Sequence, residues 1–409
     1  MYGLLGKKLG HSLSPQIHSL FGDYPYELYC HEKNELDDFF ADTTLKAFNV
    51  TVPYKIEAFK RCTTISDTAR KIGSVNTVVR NDDGTLFGDN TDYFGFSRMA
   101  KKYGADFNGK KVLVLGSGGA SLSVRAVAQD EGAREIIVVS RSGENNYDNL
   151  DRHYDADIIV NTTPVGMYPH NGERLIDLSK FTAVTCVLDL IYNPMKTQLL
   201  FDADELSIPN GNGLYMLVAQ GLRSAELFLD QKFDDSIIDK AYNTLKRDET
   251  NIVLVGMPGC GKTTVGKILA KKLSKKVIDT DDEIVKKLNR PIPKVFAEKG
   301  EEFFRGVETE VVREQGKLLG SVIATGGGAV LKKENRDALK QNGTVIYLDR
   351  DISILATDGR PLSKDAEALK KIYDIRKPIY ESFADFTVKI SFDPNEAADK
   401  IIEYINSSI

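Results

Sequence analysis

This chain is short of several things, and each shortage excludes something. Its 409 residues include four cysteines, Cys30, Cys62, Cys186 and Cys260, with no close pair among them. Neither a disulfide framework nor a cysteine metal knuckle is expected, and a reducing, cytoplasmic setting suits that usage. The five histidines fall at no metal-ligand spacing. No apolar run approaches the roughly 20 residues of a membrane span, and residues 1–10 lack the apolar stretch of a signal peptide. There is no basic block, and the net charge of −5 argues against nucleic acid as a partner. Internal repeats and low-complexity tracts are missing too. What remains, 42% hydrophobic and 28% charged, is ordinary globular composition in a chain too long for one core, so two or three domains are expected.

Strand-like and helix-like segments alternate almost throughout, which predicts an α/β fold with mostly parallel sheets. A glycine-rich loop follows an apolar strand twice. The more specific case is residues 256–263, Gly-Met-Pro-Gly-Cys-Gly-Lys-Thr, after Ile252-Val-Leu-Val255 and before a segment with helical apolar spacing. Strand, loop and helix in that order is the context of a phosphate-binding loop. Its N–H groups converge on phosphate oxygens, helped by the helix dipole. Lys262 would reach the β- and γ-phosphates and the Thr263 hydroxyl would ligate Mg²⁺, with Gly259, Cys260, Gly261 and Thr264 completing the cradle. The motif indicates ATP-type nucleotide binding and leaves the acceptor open.

The second case is Gly116-Ser-Gly-Gly-Ala-Ser121 after Val112-Leu-Val-Leu115. It resembles a dinucleotide fingerprint, with Ser121 where the third glycine usually stands. The strand that follows ends in Ser140-Arg141-Ser142 rather than an acidic residue. A guanidinium with two hydroxyls suits a 2′-phosphate, so NADP is expected over NAD, unless Arg141 is simply a solvated strand-end residue.

Four segments upstream are polar for their setting: residues 11–15 (His-Ser-Leu-Ser-Pro), 49–55 (Asn-Val-Thr-Val-Pro-Tyr-Lys), 73–77 (Gly-Ser-Val-Asn-Thr) and 88–92 (Gly-Asp-Asn-Thr-Asp). Singly, each reads as turn chemistry, and Lys55 as a surface charge. Together with a dinucleotide loop they furnish a pocket for a polyhydroxylated acid. With residues 161–167 (Asn-Thr-Thr-Pro-Val-Gly-Met) and 213–220 (Gly-Leu-Tyr-Met-Leu-Val-Ala-Gln), they resemble shikimate dehydrogenases from Met1 to Lys246. The resemblance implies NADPH-dependent reduction of 3-dehydroshikimate. Lys55 and Asp92 would be the catalytic pair, with substrate also held by Ser12, Ser14, Thr51, Asn76, Tyr192 and Gln220. The cofactor would lie on Gly116, Gly118, Gly119, Ala120, Ser140, Arg141, Ser142 and Gly213. Only about twenty residues separate Ser142 from Asn161, fewer than the family's helix–strand unit needs. The cofactor lobe is therefore expected to be trimmed, with a 2′-phosphate clamp resting on Arg141 alone.

Downstream of the phosphate loop, Val277-Ile-Asp-Thr-Asp281 places Asp279 and Asp281 on one face of a strand end. Either a cation and a substrate hydroxyl separate the two charges, or they form an N-cap cluster for the next helix. Arg305, Arg360 and Arg376 show no local pattern of acidic partners, which suggests recognition of anions. With the triple glycine at 326–328, these segments resemble shikimate kinases from Asn251 onward. That implies Lys262 on the transferred phosphate, Thr263 and Asp279 around Mg²⁺, and Asp281 as base on the acceptor hydroxyl. Arg305 and Arg376 would hold the shikimate carboxylate, Gly327 would line the ring, and Arg360 would steady the γ-phosphate from a lid shorter than usual over 349–360.

The expected domains are a substrate lobe over 1–97 rejoined by helices at 214–246, and a Rossmann-like NADP lobe over 98–213. A linker at 247–250 would lead to a P-loop kinase domain over 251–409. The reading is a bifunctional enzyme acting on the small molecules 3-dehydroshikimate and shikimate, with NADP(H), ATP and Mg²⁺ and with neither nucleic acid nor membrane as partner. One rival is an NAD-using quinate dehydrogenase in the first half, against which Arg141 counts. Another is a gluconate-kinase-like second half, which would not carry Arg305, the triple glycine and Arg376 together. A non-catalytic nucleotide sensor conflicts with the presence of Lys55, Asp92, Lys262 and Asp281, and a guanine-nucleotide switch lacks its base-reading segment.

Overall fold

The apolar runs that precede both glycine loops are fully buried strands, as expected of central strands covered on both faces. A computed structural model of the chain describes every residue except 11, 356–365, 391–392 and 409. The chain divides into two units, Met1–Asn243 and Thr244–Ile409. The division falls inside the helix Ser236–Glu249, so the polar stretch expected as a linker is helical almost to its end. Among the described residues, no helix is long and apolar enough to cross a membrane.

The first unit holds two sheets. Strands β1 (Tyr2–Gly6), β2 (Tyr26–Cys30), β3 (Ala47–Val50), β4 (Thr64–Ile65), β5 (Thr77–Arg80) and β6 (Leu86–Asp89) form one sheet in the order β2-β1-β3-β5-β6-β4. This sheet is mixed: β5 runs antiparallel to β3 and β6. A tight turn joins β5 to β6, with Asn81 N–H bonded to Thr85 O, and a connection that short can only join antiparallel strands. The second sheet, β7 (Lys111–Leu115), β8 (Glu135–Val139), β9 (Ile158–Asn161), β10 (Cys186–Asp189) and β11 (Asn210–Asn212), is parallel in the order β11-β10-β9-β7-β8. Between β8 and β9 the helical structure is limited to the 3₁₀ segment Tyr147–His153, and β8 lies at the sheet edge.

The helix Leu214–Leu229 returns to the first lobe. Its Ser224 hydroxyl, fully buried, accepts from Asn49 Nδ2 at 2.8 Å. It also crosses the helix Asp92–Lys102 so closely that a Cβ on Gly95 would sit 2.7 Å from Met216 O. That crossing brings Gln220 to the Asp92 end of the lobe.

The second unit is one parallel sheet of β12 (Asn251–Val255), β13 (Lys276–Asp279), β14 (Ser321–Ala324), β15 (Gly343–Asp349) and β16 (Phe386–Lys389), ordered β13-β14-β12-β15-β16. The glycine loops leave β7 and β12, strands flanked on both sides, at the carboxyl end where ligands bind in open α/β sheets.

Two candidate active sites

In the first unit a cavity of about 460 Å³ is lined by Ser12, Ser14, Thr51, Lys55, Asn76, Asp92, Ala120, Tyr192, Gly213 and Gln220, among others. Lys55 opens the helix Lys55–Arg61 and Asp92 opens the helix Asp92–Lys102. The Lys55 ammonium donates to Asp92 Oδ2 at 2.6 Å, and Asn76 Nδ2 donates to the other Asp92 oxygen at 2.9 Å. Asn76 is itself fixed, since its Oδ1 accepts from Thr91 N–H at 2.8 Å. The carboxylate is thus oriented before any ligand arrives. Ser14 begins a helix rather than lying in an extended turn, and its hydroxyl sits 3.1 Å from that of Ser12. Gln220 donates to Leu217 O and accepts from Thr91 Oγ at 3.3 Å. Gly213 approaches so near that a Cβ would lie 2.0 Å from Leu190 O.

Of the expected cofactor residues, Ala120 and Gly213 line this cavity. Gly116, Gly118 and Gly119 lie beside it on the loop after β7, and a Cβ on Gly118 or Gly119 would meet nothing within 4 Å. Gly118 and Gly119 thus stand at the open N-terminus of the helix Gly119–Asp130, where backbone N–H groups favour an anion. At Gly116, where φ is +107°, an added Cβ would sit 2.7 Å from Thr162 Oγ1. Ser121 stands where the pattern has glycine because its hydroxyl turns back to Gly118 O at 2.6 Å and closes the loop from within. Ser140, Arg141 and Ser142 follow β8, and Arg141 is exposed with no hydrogen bond or ion pair to any described residue.

In the second unit a cavity of about 430 Å³ takes in Gly259, Gly261, Lys262, Thr263, Thr264, Asp279, Asp281, Arg305, Gly327 and Arg376. Lys262 is buried, its ammonium 2.9 Å from Gly256 O and from Met257 O. Thr263 Oγ1 donates to Asp279 Oδ2 at 2.6 Å. Asp279 also caps the helix Thr280–Leu288, accepting from Asp281 N–H at 3.0 Å. Of the two alternatives for the acidic pair, the N-cap is seen, and for Asp279 alone. Asp279 is the cap, and Asp281 sits on the first helical turn rather than on the strand. Partial burial, reinforced by the Asp279 carboxylate, pushes the Asp281 carboxyl up to about 6.

Cys260 is the exception among the expected loop residues. It is buried, its N–H goes to Met257 O, and it does not line the cavity. The idea that the arginines lack acidic partners is corrected for Arg305. Its Nη1 donates to Glu308 at 2.7 Å, while Nε and Nη2 donate to Glu301 at 3.2 and 3.0 Å. Glu308 is 1% exposed, and burial raises its carboxyl above the usual range against the pull of Arg305. An acid among Phe304, Val307 and Val311, on the buried face of the helix Ile292–Gly316, was the sequence signal for it. The three glycines each admit a different neighbour. A Cβ would collide with Asp281 at Gly326, with Pro258 at Gly327 and with the Arg305 guanidinium at Gly328. Arg360 and the expected lid from residue 356 onward lie outside the described residues.

Comparison with known proteins points to two families. The family model "Shikimate dehydrogenase substrate binding domain" matches residues 4–78 and the model "Shikimate kinase" matches residues 258–406. A "Shikimate dehydrogenase (NADP(+))" of Clostridium perfringens is 34% identical over 267 residues, covering 60% of this chain and 98% of the relative. Among solved structures, a chorismate mutase/shikimate 5-dehydrogenase fusion from Clostridium acetobutylicum is similar at 39% identity and TM-score 0.57, over 60% of this chain and 96% of that one. A Thermus thermophilus shikimate 5-dehydrogenase in complex with NADP(H) and shikimate is similar at 28% identity and TM-score 0.54, over 59% and 98%.

Proposed function

This chain belongs to the shikimate dehydrogenase family and carries a shikimate kinase domain behind it, and from that premise we propose which residues perform its two reactions. The first unit reduces 3-dehydroshikimate to shikimate with NADPH, and the second phosphorylates shikimate with ATP. In the first cavity Lys55 donates the proton taken up by the ketone oxygen as hydride reaches its carbon. Asp92 holds that ammonium and accepts from a substrate hydroxyl, and the Ser12 and Ser14 hydroxyls face the carboxylate. Lys55 then regains its proton from water. Gly116, Gly118 and Gly119 would admit the pyrophosphate and Arg141 would hold the 2′-phosphate of a dinucleotide, which when bound would supply the hydride.

In the second cavity Asp281 accepts the proton of the shikimate hydroxyl, and a carboxyl held near 6 is largely ionised at neutral pH yet still basic. Arg305, locked between Glu301 and Glu308, presents its guanidinium to the substrate carboxylate, and Arg376 does so from the helix Ala366–Phe383. Lys262 exchanges loop carbonyls for phosphate oxygens. Thr263 and Asp279 offer adjoining hard oxygen atoms, a donor set that fits Mg²⁺ with its remaining positions on water and phosphate. Bound there, the ion would neutralise phosphate charge. Catalysis of this kind is mostly positioning and electrostatics.

The observation that carries the first assignment is the 2.6 Å contact between Lys55 and Asp92 within the cavity beside the glycine loop. Lys55→Met should lower kcat for NADPH oxidation by about 10²–10⁴-fold while shikimate phosphorylation continues. Loss of less than tenfold would take the proton-donor role away from Lys55.

A further inference from the structure

We propose that Lys8 supplies the counter-charge for the substrate carboxylate in the dehydrogenase cavity. The proposal rests on the reading of that cavity as the 3-dehydroshikimate site. Lys8 lies just after β1, immediately before a turn closed by Ser12 N–H bonding to Leu9 O at 3.0 Å, and it lines the cavity with Ser12 and Ser14. Among the described residues, the other charged side chains lining that cavity are Lys55 and Asp92, and they pair with each other at 2.6 Å. Its neighbour Lys7 is engaged by Glu32 at 2.9 Å. Lys8 itself makes no hydrogen bond or ion pair with any described residue.

Among the described residues the lining therefore carries one uncompensated positive charge, and the substrate brings one negative charge. The Ser12 and Ser14 hydroxyls, 3.1 Å apart, can direct hydrogen bonds at the two carboxylate oxygens. They contribute no net charge. A carboxylate that leaves water for a partly enclosed cavity loses hydration that hydroxyls replace incompletely, and a nearby ammonium offsets the rest. Lys8 is exposed, and its four-carbon stem lets the ammonium follow the carboxylate without fixing the ring. The carboxylate does not react, so its neutralisation acts on ground state and transition state alike and is read in KM more than in kcat.

Lys8→Met keeps the stem and removes the charge. The decisive comparison uses 3-dehydroshikimate and its methyl ester at saturating NADPH. With the acid, KM should rise about five- to thirty-fold with kcat moving less than threefold, since uniform binding is lost. With the ester, wild type and variant should share one KM. Lys8→Arg should recover most of the affinity, and Lys8→Gln should behave as Lys8→Met. Equal weakening of acid and ester, an unchanged KM for the acid, or a rise confined to the KM for NADPH would each overturn the proposal. A wild-type protein that turns over no 3-dehydroshikimate would remove the reading of the cavity itself, and the proposal with it.

Discussion

Asp281 shows how one carboxyl gathers its chemistry from its surroundings. Its folded value of about 6 stands above the usual 3.8, through burial first and the Asp279 charge second. Between those two values the unfolded chain binds fewer protons than the folded one. Folding stability therefore falls as pH rises from about 4 to 6, and the penalty persists at pH 7. Asp281→Asn should remove both the base and the penalty. Kinase kcat should drop by about 10²–10⁴-fold, while the second unit gains about 1–2 kcal/mol at pH 7, a value discounted for partial exposure. Urea unfolding at pH 7 and pH 4 checks the sign, because the gain should vanish at the lower pH. In the wild type, kinase kcat/KM should decline as pH falls through about 6.

Arg141 is the corresponding test in the other unit. It stands alone at the end of β8, with no second basic residue beside it. A charge-assisted bond to phosphate contributes about 1.5–3 kcal/mol, so Arg141→Ala should raise the KM for NADPH by about 10–100-fold and leave that for NADH within about twofold. Cofactor titrations of the two proteins decide it. An equal rise for both cofactors would mean that Arg141 supports the loop rather than the 2′-phosphate.

At the scale of elements, the sites depend on a few close approaches. Gly95 lets the helix Asp92–Lys102 lie against the helix Leu214–Leu229, where an added Cβ would sit 2.7 Å from Met216 O and 2.9 Å from Gln220 Cβ. The first obstacle is backbone and cannot rotate away. Gly95→Ala should destabilise the first unit by about 1–3 kcal/mol and lower dehydrogenase kcat/KM, because Asp92 and Gln220 separate. Thermal melting with parallel kinetics would show it, and an unchanged melting curve would mean the two helices have room to spare. The same scale explains what the sequence reveals. Phosphate-loop spacing is local, so the strand, the loop and Lys262 could be placed from residues 252–263. The Arg305–Glu308 pair is also local, at i,i+3 on one helix, and its signal was an acid on an apolar face. By contrast, the bond from Asn49 to Ser224 spans 175 positions and has no sequence signature. The antiparallel course of β5 likewise follows from one tight turn that the prevailing β/α alternation obscured.

For the molecule as a whole, two glycine loops on two separate sheets give one chain two nucleotide chemistries. Each cavity is lined by residues of its own unit, with lysine and aspartate in both. The alcohol made in the first is the acceptor required by the second, which makes the pairing of the two halves chemically coherent. The account depends on that order of events.

The measurement that tests it most directly follows the wild-type protein with 3-dehydroshikimate, Mg²⁺ and ATP labelled in the γ-phosphate, adding NADPH last. Before NADPH, no label should leave ATP for an organic acceptor. After it, NADPH oxidation should precede the appearance of label in shikimate 3-phosphate. Label transfer without NADPH, or shikimate that accumulates unphosphorylated, would contradict the account.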